Sequence, residues 1–324
     1  MTRLTDMDPD IRRFLDIMTD DWRRFPPFTT LSLDEGRRAV EAVRARWTHG
    51  GPAMAETFER VVDTGHGDIR VRVYRTEGAG PAAPAMVYLH GGGFMLFSID
   101  THDRLMREYA DRGGFVVIGV DYPLAPETKF PVAQHRITGL MLWLAQNGAE
   151  LGVDPHRLAM AGDSAGGNLA VATCLRLRDM DRLEIVKAIL SNYGGFTGRI
   201  SDESEATHGG PGAILNREEA EGFWRNYLNG PHELDDPYAC PLYADLTGLP
   251  PTLLIVAELD LVAEDSLKIF PQFQAAGVDV RCEIYKGATH SFLEAMSISA
   301  LACDAIAEGA DFIGRQLALH DRGR

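Results

Sequence analysis

Residues 159–167 read Ala-Met-Ala-Gly-Asp-Ser-Ala-Gly-Gly, and they join two segments of different hydrophobic pattern. The segment before them, from Arg157 to Gly162, is short and apolar, which is typical of a buried strand. The segment after them, 168–177, has the apolar spacing of a packed helix. The motif Gly-x-Ser-x-Gly therefore lies where a strand turns sharply into a helix, and its outer glycines permit both the turn and a close approach. This arrangement predicts that Ser164 stands exposed at the apex of a nucleophile elbow.

A glycine-rich turn between a strand and a helix can also bind a phosphate group. Phosphate sites of this kind usually carry a Walker lysine or the glycine run of a dinucleotide fold. Neither feature follows Ser164 in the sequence. The motif alone leaves both interpretations open, and the rest of the chain has to decide between them.

The composition of this 324-residue chain limits its function. Hydrophobic residues make up 45% of it, enough for one large α/β domain with an accessory lobe or for two domains. The net charge of −15 argues against nucleic acid or an anionic membrane surface as a partner. With no signal-peptide pattern and no apolar run of about 18 residues, we expect a cytoplasmic protein without a membrane span. Free thiols are expected at the four cysteines, whose spacing suits neither a metal nor disulfides: Cys174, Cys240, Cys282 and Cys303.

Residues 1–50 carry two predicted amphipathic helices. Asp8 followed by Pro9 is a typical helix start, and Ser32 with Glu35 forms a capping box for the second helix. Six large apolar side chains fall on one face of the first helix: Ile11, Phe14, Leu15, Met18, Trp22 and Phe25. These helices pack either on the core or as a lid over a pocket.

Eight strands are predicted from residue 56 onward. The first two, 56–62 and 68–75, alternate in polarity and are joined by a glycine-containing turn, so they form an antiparallel start. The later strands are mostly apolar throughout, as buried parallel strands are: 85–89, 115–120, 158–162, 186–191, 252–257 and 280–285. Helical patterns between them predict a doubly wound, mostly parallel α/β sheet, in which chemistry gathers beyond the carboxyl ends of the strands.

The segment His90-Gly91-Gly92-Gly93-Phe94 follows the third strand. Consecutive glycines leave backbone N–H groups free to point into a site, and together with the amide of Ala165 they can bind an oxyanion. A merely flexible loop is the alternative interpretation. Because His90 directly abuts the strand, we expect it to have an architectural role and not to act as a base.

Two further stretches supply partners for a serine nucleophile. Asp260 follows the seventh strand, and His290 lies in the loop after the last strand. A serine hydroxyl needs a histidine to take its proton, and that histidine needs a carboxylate to hold its tautomer. We prefer Asp260 to Glu258, which belongs to the strand end, and to Glu264, which belongs to the next helix. The remaining histidines are expected to be surface or structural residues: His49, His66, His102, His135, His156, His208, His232 and His320.

On these residues the chain resembles the hormone-sensitive-lipase-like family of α/β-hydrolases, which are carboxylesterases with a helical cap. The order serine, acid, histidine is the order found in α/β-hydrolases. The motifs that carry the resemblance cover most of the chain from about residue 56: His90–Phe94, Ile99–Asp103, Asp121–Glu127, Gly162–Gly167 and Asp260 to His290.

The resemblance implies a role for each residue that matches a motif. Ser164 is then the nucleophile, His290 the base and Asp260 the residue that orients the base. The implied oxyanion hole consists of three backbone amides: Gly91, Gly92 and Ala165. The implied supporting residues are His90, Asp163 and Glu264.

The resemblance also implies how the chain is divided. Residues 1–50 and an insertion at 196–246 would form the cap, and 51–195 and 247–324 would form the two parts of the hydrolase core. Asn216 and Glu219 are expected to cap a helix in the insertion. The residues expected to line the substrate pocket are Phe94, Tyr193, Phe196, Trp22 and Trp224.

Three places depart from the family pattern. Leu261 stands where a proline usually follows Asp260, and Glu264-Asp265 reverses the usual order of the two acids. Pro123 takes the place of an arginine, which removes an expected cation near the following turn. Asn192-Tyr193 replaces the commoner Tyr-Pro after the sixth strand, and this changes one wall of the expected pocket.

The combined prediction is a serine esterase for short-chain acyl esters that works through an acyl-enzyme, with no cofactor and no metal. Its expected partner is a small-molecule ester, and a homodimer is an open alternative to a monomer. Large aromatic side chains on the cap are expected to shorten the acyl pocket. The alternatives are an amidase or deacetylase on the same fold, or a ligand receptor like some plant relatives. Those receptors have lost the catalytic histidine, so the presence of His290 favours an enzyme.

Overall fold

A single sheet forms the centre of the computed structural model, which describes residues 6–210 and 213–319. In chain order its strands are β1 (Glu56–Asp63), β2 (Asp68–Arg75), β3 (Ala83–Leu89), β4 (Val116–Asp121), β5 (Val153–Asp163), β6 (Val186–Asn192), β7 (Thr252–Leu259) and β8 (Val280–Thr289). They lie side by side in the order β1-β2-β4-β3-β5-β6-β7-β8. β2 pairs antiparallel with β1 and β4, and the other neighbours pair parallel. The predicted eight-stranded, mostly parallel sheet with an antiparallel start is confirmed.

Several strands are longer than predicted, and the differences have a structural reason. β5 begins at Val153 instead of 158, because its register against β3 shifts and leaves Pro155 in the irregular part. A proline there interrupts no regular ladder of hydrogen bonds. β7 and β8 continue to Leu259 and Thr289, so each ends directly before a predicted site residue.

The central strands have both faces covered by apolar side chains. Val87 and Leu89 of β3 belong to one hydrophobic cluster, whereas Met86 and Tyr88 belong to a second cluster. Since successive side chains of a strand point to opposite faces, the two clusters lie on opposite sides of the sheet. This burial explains why the central strands are apolar throughout and do not alternate.

Helices cover the two faces of the sheet. They are α1 (Pro9–Trp22), α2 (Leu33–Arg44), α3 (Asp103–Gly113), α4 (Val132–Asn147), α5 (Ala165–Asp179), α6 (Asp202–His208), α7 (Arg217–Tyr227), α8 (Ala263–Ala275) and α9 (Ala300–Leu319). Short 3-10 helices are Phe28–Thr30, Ala45–Thr48, Gly148–Leu151, Leu183–Ile185, Pro231–Asp235, Pro241–Tyr243 and Phe292–Ser297. Helices α4, α5 and α8 contribute to the first cluster, and α3 and α9 to the second. In the described ranges, every helix is too short or too polar to cross a membrane. The four cysteines are free thiols, as predicted.

Helix α1 begins as predicted and packs on the core. The Asp8 carboxylate accepts hydrogen bonds from the amides of Asp10 and Ile11 at its first turn. The apolar face enters the second cluster, where the ring of Phe14 lies 4.7 Å from that of Trp47. The backbone amide of Asp8 also donates to the carbonyl of Gly287 in β8. Of the two interpretations of this helix, the structure supports packing on the core.

Helix α2 reaches the loops at the carboxyl ends of the strands. It starts at the predicted capping box of Ser32 and Glu35. Arg37 then donates to the carbonyl of Met95, in the loop after β3, and forms two bonds with the carboxylate of Glu127. Arg37 therefore brings a cation to the turn after β4, where Pro123 replaces the arginine expected from the family pattern.

The turn from β5 into α5 is as tight as the motif predicts. Ser164 has φ 51° and ψ −118°, a conformation that a residue with a side chain rarely adopts. A Cβ atom on Gly166 would stand 1.9 Å from the carbonyl oxygen of Leu89, and one on Gly162 would stand 2.6 Å from the same atom. Both glycines are needed because backbone meets backbone at these two points.

We expect Gly166→Ala to destabilise the protein by about 3 kcal/mol, the upper end of the usual range for overpacking, because a carbonyl oxygen cannot move aside as a side chain can. The free energy of unfolding in urea measures the effect. Gly222→Ala is the matched control, since its Cβ would meet only the end of Arg225 at 3.6 Å inside α7. That change should leave stability equal or raise it by about 0.5–1 kcal/mol. Equal stability of the two variants would contradict the close contact.

Candidate active site

Ser164, Asp260 and His290 meet at the carboxyl edge of the sheet. Ser164 follows β5, Asp260 follows β7 and His290 follows β8. The Nε2 atom of His290 lies 2.9 Å from the Oγ atom of Ser164, and its Nδ1 atom lies 2.7 Å from the Oδ2 atom of Asp260. These three groups form a continuous series of hydrogen bonds, which can pass a proton from the serine hydroxyl to the imidazole.

Each oxygen of the Asp260 carboxylate has a defined partner. Oδ1 accepts the backbone amide of Val262 at 3.0 Å, which leaves Oδ2 directed at His290. Glu258 is engaged elsewhere, because its carboxylate accepts the amide of Gly287 at 2.8 Å. The arrangement agrees with the preference for Asp260 over Glu258 derived from the sequence.

The electrostatic surroundings of His290 favour its protonated form. Burial by itself lowers the pKa of this imidazole, but the carboxylates of Asp260 and, more weakly, of Asp163 and Glu294 together outweigh burial and raise the pKa above the ordinary value. The ring of Tyr193 meets the imidazole edge to face at 5.2 Å between centroids. A base with a raised pKa takes a proton from a hydroxyl more readily, provided that it is still unprotonated at working pH.

The glycine loop after β3 presents unpaired backbone amides, but these are not the predicted set. The Gly91 amide donates to the Oδ1 atom of Asp163 at 3.1 Å, so the prediction that it binds an oxyanion is wrong. The amides of Gly92, Gly93 and Ala165 have no acceptor among the described residues. Gly92 and Gly93 have φ values of 104° and 60°, which glycine adopts without strain and which turn the loop sharply after Gly91.

The carboxylate of Asp163 fixes the start of the glycine loop through hydrogen bonds. Its carboxylate accepts hydrogen bonds from the hydroxyl of Tyr88 at 2.9 Å and from the Gly91 amide, and it lies 3.3 Å from the Nε2 atom of His102. Burial would raise the pKa of Asp163, but His102 outweighs burial and lowers it, and the pKa of His102 is raised in return. The supporting role expected for Asp163 agrees with these contacts.

His102 belongs to this network although the sequence singled out no function for it. Nothing in its spacing relates it to Asp163, which is 61 residues away along the chain and meets it only in the fold. His90 packs against the same network through His102, with 5.6 Å between ring centroids. It stacks on Tyr122 at 4.3 Å and contacts the Gly91 carbonyl through Nδ1. Burial and His102 lower the pKa of His90 to about 3, so it is uncharged, in agreement with an architectural role.

The two acids of α8 exchange the roles expected from the family pattern. Glu264 contacts the hydroxyl of Ser201 at 2.6 Å and the ammonium group of Lys268, and both contacts lie apart from the serine and histidine. Asp265 is the buried acid, and it accepts the amides of Phe196 and Thr197 at 2.7 and 2.9 Å. Burial raises the pKa of Asp265 to about 7. The reversed order Glu-Asp therefore makes Asp265, and not Glu264, the support for the chain that enters the insertion.

Aromatic side chains of α7 cover the glycine loop. Phe94 stacks on Tyr227 at 3.9 Å and meets Trp224 edge to face at 5.2 Å. Phe223, which was not among the predicted pocket residues, lies on Gly93, where a Cβ atom would come within 2.3 Å of its ring. The helical spacing of 223, 224 and 227 marked this face as aromatic but did not show which ring faces the loop.

The other predicted pocket residues are distributed differently. Phe196 is fully buried and belongs to the first cluster, beside the chain entering the insertion. Tyr193 lies against His290, with its hydroxyl buried. Trp22 contacts Phe25 and Phe28 within the N-terminal segment, at 6.1 and 6.2 Å between ring centroids. Tyr193 thus contacts His290, and Phe94 and Trp224 contact each other at the glycine loop. Trp22 packs only against other residues of the N-terminal segment in the ring contacts of the described residues.

The chain is similar to known proteins over most of its length. A model of a family described as the alpha/beta hydrolase fold matches residues 86–294. The acetyl esterase of Salmonella paratyphi B is 35% identical over 290 residues, which are 89% of this chain and 88% of that protein. The chain belongs to the α/β-hydrolase family. It is an ester-hydrolysing enzyme of the hormone-sensitive-lipase-like group.

Solved structures extend the similarity of this esterase to its whole fold. The esterase of the archaeon Pyrobaculum calidifontis has a TM-score of 0.87 and 33% identity, covering 96% of this chain and 98% of that one. EstE1, a carboxylesterase from a metagenomic library, has a TM-score of 0.85 and 35% identity, covering 89% and 99%. Across the residues that the structure describes, the esterase has no group of three or more His, Cys, Asp or Glu that could hold a metal ion.

We expect Asp260→Asn to lower the pKa of His290, because it removes the nearest carboxylate that raises this pKa. NMR titration of the imidazole signal, assigned with the variant His290→Asn, measures the change. Glu264→Gln is the matched control and should leave the titration unchanged, since Glu264 contacts Ser201 and Lys268. A larger change in Glu264→Gln than in Asp260→Asn would contradict the assignment of partners.

Proposed function

We propose that this esterase hydrolyses short-chain acyl esters with Ser164 as nucleophile, His290 as general base and acid, and Asp260 as the residue that orients the imidazole. The proposal is carried by the two contacts of His290, 2.9 Å to the serine oxygen and 2.7 Å to the carboxylate. The carboxylate accepts the Nδ1 proton, which leaves the Nε2 lone pair directed at the serine hydroxyl.

The first chemical step is acylation of Ser164. Its oxygen attacks the ester carbonyl carbon while its proton moves to Nε2 of His290. The resulting imidazolium is stabilised by Asp260, which stays ionised. The strained backbone of Ser164 holds the oxygen at the apex of the turn, so little reorganisation precedes the attack.

The carbonyl oxygen becomes an oxyanion in the tetrahedral intermediate. We assign its stabilisation to the amides of Gly92, Gly93 and Ala165, which have no other acceptor among the described residues. Ala165 opens helix α5, so the positive end of the helix dipole adds to this stabilisation. One donor of this type typically contributes about 10²–10³-fold to the rate.

The intermediate then expels the alcohol, which takes the proton from Nε2 of His290 and leaves an acyl ester on Ser164. Water enters, gives one proton to the same nitrogen and attacks the acyl carbon. Collapse of the second intermediate returns the proton to Ser164 and releases the carboxylic acid. Every proton is exchanged through His290, so the cycle is balanced without a cofactor.

The preference for short acyl chains follows from the aromatic side chains over the glycine loop. The ring of Phe223 lies on Gly93, and Trp224 packs against Phe94 beside it. A ring at this place limits the space beyond the carbonyl carbon and excludes water from it. Since each buried methylene contributes only about 0.8 kcal/mol, steric conflict with one ring cancels the gain from several methylenes.

The substrate partner is a small-molecule ester. The name acetyl esterase, carried by the Salmonella relative, supports a short acyl group and favours an ester over an amide. The homodimer, the cytoplasmic location and the exact division of the chain into core and cap stay predictions.

We expect Ser164→Ala to reduce kcat on p-nitrophenyl acetate by about 10⁴-fold or more, because the variant cannot form the acyl-enzyme. Circular dichroism and thermal denaturation should show an intact fold. Ser297→Ala removes an exposed hydroxyl elsewhere and serves as the control, with activity equal to wild type. Substantial turnover by purified Ser164→Ala would mean that another residue is the nucleophile.

We expect wild-type activity on p-nitrophenyl esters to be highest between roughly acetyl and hexanoyl chains. Phe223→Ala should move this optimum to longer chains, by up to about fourfold in kcat/KM for each methylene that gains a buried position. Trp22→Ala should leave the optimum unchanged, since its ring partners are Phe25 and Phe28. A wild-type optimum at long chains would contradict the proposal, as would an equal shift in both variants.

A further inference from the structure

Two residues at the exit of the glycine loop have a backbone conformation that side chains disfavour. Phe94 has φ 64° and Phe97 has φ 71°, so both lie in the left-handed region although neither is a glycine. Between them the chain closes a turn, because the amides of Met95 and Leu96 donate to the carbonyl of Gly92 at 3.1 and 2.9 Å. Strained values of this kind persist only where the surrounding structure holds them. The exit of the loop therefore depends on contacts from other parts of the chain.

Helix α2 supplies such contacts from one of its faces. Arg37 and Glu41 are four positions apart in this helix, so their side chains are neighbours on its surface. The Nε atom of Arg37 donates to the carbonyl of Met95 at 2.9 Å. The carboxylate of Glu41 accepts the hydroxyl of Ser98 at 2.8 Å. The two side chains thus hold the strained segment near both of its ends.

Arg37 binds a second loop at the same time. Its Nη2 atom donates to the carbonyl of Ala125, in the turn after β4, at 2.9 Å. Its Nη1 and Nη2 atoms bind the two carboxylate oxygens of Glu127 at 2.7 and 2.8 Å. Ala125 in turn donates its amide to the carbonyl of Phe94 at 2.9 Å. One guanidinium group therefore bridges the carbonyls of Met95 and Ala125, and both of these residues belong to the hydrogen bonds that shape the loop.

The ion pair with Glu127 does not by itself explain this arrangement. The side chain of Glu127 is 55% exposed, and ion pairs open to water contribute little to stability. A lysine could form that pair equally well, whereas only a guanidinium group offers directed donors at Nε and Nη2 together. The feature specific to Arg37 is the bridge between two backbone carbonyls.

We propose that Arg37 is a positioning residue, which holds the glycine loop in the conformation that the oxyanion requires. The inference rests on the proposed function, because it takes the amides of Gly92 and Gly93 as donors to the oxyanion. Such donors are effective when they are aligned before charge develops on the carbonyl oxygen. Arg37 acts on this alignment through the backbone and not through contact with the reacting atoms.

The bridge acts on the loop at two points. Through Met95 it holds the turn that closes onto Gly92, and through Ala125 it holds the partner of the Phe94 carbonyl. Without Arg37 the strained residue Phe94 relaxes, and the amides that precede it turn away from the oxyanion. The loss concerns the transition state more than the bound substrate, since the full negative charge is present only there.

The test measures inhibition by trifluoromethyl ethyl ketone and hydrolysis of p-nitrophenyl acetate in the same variants. The oxygen of Ser164 adds to the ketone carbon, its proton moves to Nε2 of His290, and the ketone oxygen becomes the oxyanion of a hemiketal. This adduct resembles the tetrahedral intermediate, so its inhibition constant reports on the oxyanion donors. An inhibition constant is independent of the fraction of enzyme that is folded, so a mere loss of stability does not change it.

We expect Arg37→Met to lower kcat/KM by about 10–100-fold and to raise the inhibition constant of the ketone by the same factor. Arg37→Lys keeps the cation beside Glu127 but cannot bridge both carbonyls, so it should raise the inhibition constant by a smaller factor. Arg38→Met is the matched control, because it removes an exposed guanidinium group from the next position of α2. Both of its constants should equal those of wild type.

Glu127→Gln separates the bridge from the ion pair. It removes the charge that Arg37 pairs with and leaves both carbonyl contacts in place, so the inhibition constant should stay within about threefold of wild type. If Arg37 served only to dock α2 through the ion pair, Glu127→Gln and Arg37→Met would have equal effects. Equal effects would overturn the inference, as would a wild-type inhibition constant in Arg37→Met or Arg37→Lys. If Arg37→Met fails to fold, Arg37→Lys and Glu127→Gln still decide.

The proposed function is judged separately with the same ketone. It requires that the ketone inhibits the wild type and that Ser164→Ala no longer binds it. If the wild type resists the ketone, or Ser164→Ala still binds it, the proposed function itself is at fault. If both requirements are met and the Arg37 variants match wild type, only the role of Arg37 is refuted.

Discussion

The carbonyl oxygen of Leu89 leaves no room for a side chain on Gly166, so strand β3 and the start of helix α5 touch through bare backbone. This contact sets the distance between the glycine loop, which leaves β3, and Ser164, which precedes α5. A wider separation would move Ser164 away from the glycine loop. The positive φ of Ser164 is part of the same constraint, because the chain has to reverse within a single residue. The sheet around the turn is buried on both faces, and its packing holds this strained conformation.

The glycine loop is held from several sides at once. The carboxylate of Asp163 accepts the amide of Gly91 and is itself held by contacts with Tyr88 and His102. The ring of Phe223 in α7 lies on Gly93, and Arg37 of α2 donates to the carbonyl of Met95. A loop of consecutive glycines has high conformational entropy when free, so these contacts are needed to hold it in one conformation. Helices α2 and α7, which are far apart in sequence, therefore both fix the conformation of the glycine loop.

Much of the fold could be predicted from the sequence, and so could the grouping of Ser164, Asp260 and His290. Both depend on patterns of neighbouring residues along the chain. Apolar runs mark the strands, and parallel strands bring the residues that follow them to one edge, which is how Ser164 and His290 meet. Contacts that depend on the exact course of a loop could not be predicted. Whether an amide such as that of Gly91 faces the site or Asp163 is decided by a few backbone angles. Likewise, which of two adjacent acids in α8 is buried depends on the rotation of the helix, and Asp265 was missed for that reason.

The contact between Asp8 and Gly287 ties the first helix of the chain to its last strand. Helix α1 packs in a cluster shared with the 3-10 helix after β8 and with α9. Helix α1 precedes every strand of the sheet along the chain, yet its binding surface is completed only by strand β8 and the segments that follow it. The sheet must therefore form before its own N-terminus can dock, and closing so long a loop comes late in folding. Helix α1 is then secured late in folding, although it precedes the whole sheet in sequence.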